Sequence, residues 1–339
     1  MSAKPIIAIS MGDYNGIGPE VILKALKRID RSRSRPILIG FQELFQFYQS
    51  KWKDPFQLLK IQQGDEIPSL VNRPDTSLPV LEIKHSEGLQ IEPGIPTAHT
   101  GTCSMEAVST GVDLCLQHQA DALVTAPISK EAISMAGFRH PGHTEFLAER
   151  TGTDHVQMIL TSDTLRVALA TVHVPLSKVP KLINRQRIRT ELAELHLSMQ
   201  RDFGIPEPRL ALLGLNPHAG DGGVIGREEI EILRPELDSA NKRGIQADGP
   251  FAADGFFGSG QWRSYDAILA MYHDQGLIPF KTLSFGRGVN FTAGLPIIRT
   301  SPDHGTGFDI AGQGQAESTS FEAAYNLAVS MATRQHHEA

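Results

Sequence analysis

The chain has 339 residues, more than one compact core usually covers, so two lobes of an α/β architecture are expected. Its 32 Lys+Arg stand against 38 Asp+Glu, a net charge of -6 dispersed without long runs of one sign, which argues against a nucleic-acid binder with a basic face. Cys103 and Cys115 are the only cysteines, neither has a CxxC partner, and a disulfide framework or thiolate zinc site is thereby disfavoured, as suits a reducing cytosol.

The first residues run almost straight into a strand-like segment and lack the charged start, apolar stretch and cleavage site of a signal peptide. No apolar run reaches bilayer-spanning length, so a cytoplasmic protein with no membrane partner is expected. Ile6 to Ile9 reads as a first strand, followed by the glycine-rich turn Gly12-Asp13-Tyr14-Asn15-Gly16-Ile17-Gly18. Pro19 suits the opening of a helix, where its missing N–H costs nothing. Further strands are predicted at Ile37–Ile39, Val80–Ile83, Ala122–Thr125, Met158–Leu160, Arg166–Thr171, Leu210–Leu215 and Ala267–Met271. Helices are predicted at Thr102–Leu116, Thr144–Arg150, Arg187–Arg201, Arg227–Asn241 and Ser320–Arg334. Gln63–Pro79 and Glu87–Thr100 read as proline-containing loops. One lobe is expected from both chain ends, 1–130 with 280–339, and a second, metal-binding and dimer-forming, from 131–279.

The most informative pattern is positional. The run Arg166 to Val172 leads to His173, Leu210 to Pro217 leads to His218, and Ala267 to Tyr272 leads to His273. Open α/β sheets bind ligands beyond the carboxyl ends of their strands. Three neutral imidazoles converging there would hold a borderline divalent ion and leave positions open for substrate. The strand ends meet either within one chain or across a subunit interface. Asp274, next to His273, is a candidate to fix an imidazole tautomer.

A second group suits an anion. In His140-Pro141-Gly142-His143-Thr144-Glu145 a turn enters a helix that Thr144 could cap, with His143 as a nearby donor. Lys281, Arg287, Asn290 and Arg299 lie in or just after a glycine-rich segment and form the donor set that phosphate and carboxylate require. The polar stretch Arg299 to Gly312 either wraps a nucleotide or connects to the last helix. Neither GxGxxG nor GxxxxGK[ST] is present, so any dinucleotide binds outside the usual Rossmann geometry.

Several stretches carry a resemblance: Gly142-His143-Thr144-Glu145-Phe146, Arg166 to Thr171, Gly214-Leu215-Asn216-Pro217-His218-Ala219-Gly220, Ala270-Met271-Tyr272-His273-Asp274-Gln275-Gly276, Gly286 to Asn290, and Arg299 to Thr306. From Gly12 to the final helix the chain resembles the 4-hydroxythreonine-4-phosphate dehydrogenases of vitamin B6 biosynthesis. The resemblance implies a two-lobed α/β/α sandwich like that of isocitrate and isopropylmalate dehydrogenases, with the active site in the cleft between lobes. It implies one divalent ion per subunit (zinc, magnesium, manganese or cobalt) on His173, His218 and His273. Substrate contacts fall on His143, Thr144, Lys281, Asn290 and Arg299. NAD, or NADP, is the implied hydride acceptor. A homodimer with its site between subunits is implied, an arrangement that allows one histidine to come from the partner chain. Phe251-Ala252-Ala253-Asp254 departs from the family's usual proline-containing turn but keeps Asp254, which with Asp274 is a candidate for proton transfer or for supporting a metal ligand. Sibling enzymes acting on threonate or erythronate 4-phosphate share much of this motif set, and a metal-dependent hydrolase or lyase without NAD is the alternative from another class.

Overall fold

A computed structural model of the chain describes residues 4–52, 56–62, 67, 77–84, 89–140 and 142–338. The strands in chain order are β1 Ile6–Ser10, β2 Arg35–Gly40, β3 Gln57–Ile61, β4 Ser77–Glu82, β5 Ala122–Thr125, β6 Gln157–Thr161, β7 Arg166–Leu169, β8 Leu210–Leu213, β9 Ala247–Phe251, β10 Ala267–Ala270, β11 Val289–Ala293 and β12 Ile298–Pro302. The longer helices are α1 Gly18–Arg28, α2 Gln42–Trp52, α3 Ala98–Leu116, α4 His143–Thr151, α5 Arg185–Arg201, α6 Arg234–Lys242, α7 His273–Ser284 and α8 Thr319–Glu338.

The chain divides into two compact units, residues 1–154 with 295–339, and residues 155–294. The divisions fall after the expected positions of 130 and 279. α4 belongs to the first unit because Arg150 donates to Ser109 Oγ and pairs with Asp113 of α3. α7 and β11 belong to the second, because β11 pairs antiparallel with β6 and Gly276 of α7 leaves no room for a Cβ against Val167 and Leu169 of β7.

In the first unit the strand order is β3-β4-β2-β1-β5-β12, with every pair parallel. Parallel sheets are covered on both faces, so their strands are apolar throughout. Ile7, Ile9, Ile37, Ile39, Leu123 and Val124 are accordingly buried from both sides. In the second unit the order is β11-β6-β7-β10-β8-β9. β7, β10 and β8 are consecutive parallel neighbours, while β6 and β11 join antiparallel. Its core gathers Val167, Leu169, Leu213, Phe256, Trp262 and Phe280.

Two expected helices start differently. The segment from Arg227 begins as a π turn, Glu229–Leu233, and becomes α-helical only at Arg234. Pro235 has no N–H for the Glu231 carbonyl, and the Arg185 guanidinium takes that oxygen instead, at 2.9 and 3.2 Å. α4 is capped by Gly142, with no side-chain cap, and Thr144 sits inside the first turn rather than at its cap. Four strands, β3, β9, β11 and β12, and the helices α2 and α7 lie outside the expected elements. The predicted loop Gln63–Pro79 falls largely outside the described residues, as do two positions of Glu87–Thr100. No described helix is long and apolar enough to cross a membrane.

Candidate active site

The three histidine-bearing turns leave three adjacent strands of the second unit. His173 follows β7, His273 follows β10 and opens α7, and His218 follows β8. Neighbouring strands lie about 4.8 Å apart, so the outer two of the three ends are separated by about 10 Å. The sheet therefore places all three turns at one edge.

Side chains lace these turns together. Thr171 Oγ1 donates to the Met271 carbonyl at 2.7 Å. Gln275 accepts from the Met271 amide at 2.7 Å and donates to the Gly214 carbonyl at 2.6 Å. Glu229, itself buried, accepts from the Leu215 and Asn216 amides, each at 2.8 Å. None of Thr171, Gln275 and Glu229 was singled out in the sequence. Their only signal there is position, Thr171 two residues before His173 and Gln275 two residues after His273.

The rings of His173 and His273 come together, with centroids 5.8 Å apart. They line a cavity of about 280 Å³ with Thr171, Val179, Tyr272 and Asp274. His273 Nδ1 lies 2.7 Å from Asp274 Oδ1; with the proton on Nδ1, that contact leaves Nε2 as the ring's acceptor. His218 does not complete the set within one chain: among the described residues no three His, Cys, Asp or Glu side chains gather closely enough to hold a metal ion.

The His218 turn is unusual. His218, Ala219, Gly220, Asp221, Gly222 and Gly223 all have positive φ, between 43° and 98°. His173 is also left-handed, with φ 43°. Residues with a Cβ lose roughly 1–2 kcal/mol each in this region. Such conformations persist where the surroundings over-determine them, often at functional sites. An all-imidazole donor set suits zinc, cobalt or a related ion, so the residues fit a metal provided that histidines of two chains combine.

The first unit carries the other half of the predicted set. Arg299, on β12, is wholly buried. Its Nε and Nη2 donate to Thr125 Oγ1 at the end of β5, at 3.1 and 2.7 Å. Burial lowers its pKa to about 9. His143, at the first position of α4, has a buried Nε2 without a hydrogen-bond partner. Burial first, and the charge of Arg299 second, hold its pKa well below the ordinary histidine value. A neutral imidazole, a buried guanidinium and a helix start thus share one neighbourhood, and each is a donor of the kind that recognises anions. Thr144 is half-buried in the same turn.

None of the remaining candidates lines the histidine cavity. Asn290 is on β11 with a buried, unpartnered Oδ1. Lys281 is exposed in the last turn of α7, not on a glycine-rich loop. Arg287 is an exposed charge 3.9 Å from Asp163. Asp254 is exposed on the short helix Ala253–Gly258 and does not line the histidine cavity. The stretch after Arg299 turns against the start of α1, where Thr306 O accepts from Ile17 N at 2.8 Å, and serves as a connection to α8.

Comparison with known proteins points one way. A family model described as pyridoxal phosphate biosynthetic protein PdxA matches residues 32–328. A 4-hydroxythreonine-4-phosphate dehydrogenase from Prosthecochloris aestuarii is 46% identical over 328 residues, covering 95% of each chain. One from Trichlorobacter lovleyi is 41% identical, covering 97% of this chain and 98% of its own. The crystal structure of the enzyme of that name from Klebsiella pneumoniae superposes with a TM-score of 0.87 at 36% identity, covering 98% of this chain and 99% of the other.

Proposed function

The chain belongs to the PdxA family of pyridoxal phosphate biosynthetic proteins, and from that premise we propose that it is a cytoplasmic, NAD-dependent 4-hydroxythreonine-4-phosphate dehydrogenase. The alcohol of 4-phosphohydroxy-L-threonine loses a hydride to NAD and a proton to the protein or solvent. The resulting 2-amino-3-oxo acid phosphate releases CO2 to leave 3-amino-2-oxopropyl phosphate.

The observation that carries the reading is Arg299. A guanidinium wholly inside the protein, aligned by Thr125 beside a neutral His143, is complemented by negative charge. A phosphate or carboxylate supplies that charge in a bidentate geometry. Thr144 and the first-turn amides of α4 add donors on the same side of the site. In the second unit the exposed Lys281 would add a positive charge for the same anion, and the buried Oδ1 of Asn290 would accept from a hydroxyl or amine of the substrate.

The reaction also calls for a Lewis acid, and a divalent ion supplies one when bound, polarising the alcohol while NAD takes the hydride. His173 and His273 would hold the ion, together with His218. Because these three do not gather in one chain, the reading includes a homodimer in which histidines of two copies share each site. The second unit exposes Leu176, Val224, Ile225, Ile230, Ile278 and Phe285, apolar surface of the kind a subunit contact covers. Asp274 orients His273, and Asp254 is the outlying candidate for proton transfer. Cys103 and Cys115 are buried, are not joined in a disulfide and have pKa values pushed up to about 12, as befits inert thiols in a reducing compartment.

The test is NADH absorbance with 4-phosphohydroxy-L-threonine, threonate 4-phosphate and erythronate 4-phosphate side by side, with and without chelator. The reading expects the first to turn over with the highest kcat/KM and chelator to abolish the signal. Preference for a sugar-acid phosphate would reassign the substrate, and turnover without NAD would reassign the reaction.

A further inference from the structure

The left-handed turn that carries His218 is built on one buried carboxylate. Glu229 is 1% exposed and opens the π turn that precedes α6. Its Oε1 accepts from the Leu215 and Asn216 amides, and its Oε2 accepts from Asn216 Nδ2 at 3.0 Å. These are the residues that lead β8 into the turn. The glycines around the carboxylate are fitted to it. A Cβ on Gly220, whose φ is +81°, would lie 2.6 Å from Glu229 Oε2, and one on Gly214 would lie 3.2 Å from Glu229 Oε1. A carboxylate accepting several N–H bonds is stable in a buried place, and it fixes the peptide planes that donate to it. The π geometry supplies the reason for the wide first turn: it sets Glu229 under the β8 end rather than along the helix.

We propose that Glu229 is a positioning residue: by holding Leu215 and Asn216 it fixes the lead-in to the left-handed run from His218 to Gly223 and so presents the His218 imidazole for metal. The proposal rests on the metal-binding reading of His218 and deepens it. Without the carboxylate, two half-buried amides lose their acceptor and His218 and Ala219, both at positive φ, relax toward ordinary backbone. His218 then samples orientations in which it is no ligand. Glu229 touches no substrate in this scheme and acts only through the turn.

The experiment compares the wild-type protein with Glu229→Ala and Glu229→Gln, each stripped of metal. Co(II) is titrated in and read by its visible ligand-field bands, and hydrogen exchange is followed at the Leu215 and Asn216 amides. Inorganic phosphate binding, which depends on Arg299 and His143, serves as the control for an intact fold. Glu229→Ala is expected to weaken Co(II) binding about 10–100-fold and to alter the band shape. Exchange at Leu215 and Asn216 speeds up while phosphate binding stays unchanged. Glu229→Gln keeps an acceptor oxygen and restores most of the Co(II) affinity. An alanine variant with wild-type Co(II) affinity, spectrum and amide exchange overturns the proposal. If Glu229→Ala does not fold, Gly220→Ala presses on the same carboxylate from the turn side, and unaltered Co(II) binding there overturns it equally. Failure of the wild-type protein to bind Co(II) sinks the metal reading instead. The amide exchange rates then decide the role of Glu229 alone, and unchanged rates in the alanine variant reject it.

Discussion

Thr125 accepts two hydrogen bonds from Arg299, at 2.7 and 3.1 Å, and so aligns a guanidinium that has almost no contact with solvent. The acceptor and the donor come from adjacent parallel strands, β5 and β12, in register at Arg299 and Leu123. Thr125→Val keeps the shape of the side chain and removes the acceptor. It is expected to destabilise the fold by about 1–3 kcal/mol, the cost of leaving a buried donor unsatisfied, as read by urea unfolding. Arg299→Lys keeps the charge but loses the planar fork. A drop of about 10–100-fold in kcat/KM, carried mainly by KM, is expected for the phosphorylated substrate. An unchanged KM would remove Arg299 from the anion site.

His143 adds a pH dependence with a definite sign. Burial, then the Arg299 charge, depress its folded pKa below 6.5, so below that pH the unfolded chain binds a proton that the native protein refuses. The stability that comes from keeping His143 neutral is full above pH 6.5 and is lost progressively as pH falls beneath it. His143→Gln removes this contribution. The stability curves of variant and wild type, measured by denaturant unfolding, are expected to converge as pH drops from 7 to 5. Curves that stay parallel across that window would show that His143 titrates like an exposed histidine.

Asp13 works in the opposite direction. It is buried in the first glycine-rich turn, where Thr100 Oγ1 and the Asn15 amide donate to it at 3.0 and 3.1 Å. Burial outweighs those bonds and raises its pKa from 3.8 to about 6. Between those two values the native protein binds the extra proton, so stability falls as pH rises through the window and is flat above it. The ionised carboxylate costs the fold on the order of 2–3 kcal/mol at pH 7. Asp13→Asn keeps an acceptor oxygen and cannot ionise. Relative to wild type it is expected to gain about that amount between pH 4 and pH 7, in urea unfolding at each pH.

What the sequence makes legible follows from periodicity and from strand ends. Ala122–Thr125 is predicted to the residue, because a short apolar run in a doubly covered sheet has one reading. The histidine-bearing strands are found for the same reason, β7 and β8 overestimated by two residues and β10 by one because the chain leaves the sheet before the apolar pattern stops. α7 is missed because Gly276 and Pro279 read as breakers, although the helix accommodates both. β12 is missed because its buried face includes Arg299, Thr300 and Ser301, polar residues that pattern reading assigns to a loop. The residues that hold the site in shape, Thr125, Gln275 and Glu229, carry no local signature. Their partners are distant in sequence, and only the sheet order brings them together.

The contact between Asp274 and His273 gives the last prediction. Asp274 is exposed, so its value lies in fixing the imidazole tautomer rather than in stabilising the fold. Asp274→Ala should leave thermal unfolding of the metal-free protein unchanged. Zn(II) or Co(II) affinity is expected to fall about tenfold, the lower end of what loss of a ligand's supporting carboxylate costs. At limiting metal, turnover falls with it, and excess metal restores kcat. The two roles open to this carboxylate separate here. A kcat deficit that saturating metal does not repair, with a shifted limb in the pH–rate profile, would assign Asp274 to proton transfer and leave His273 oriented by other means.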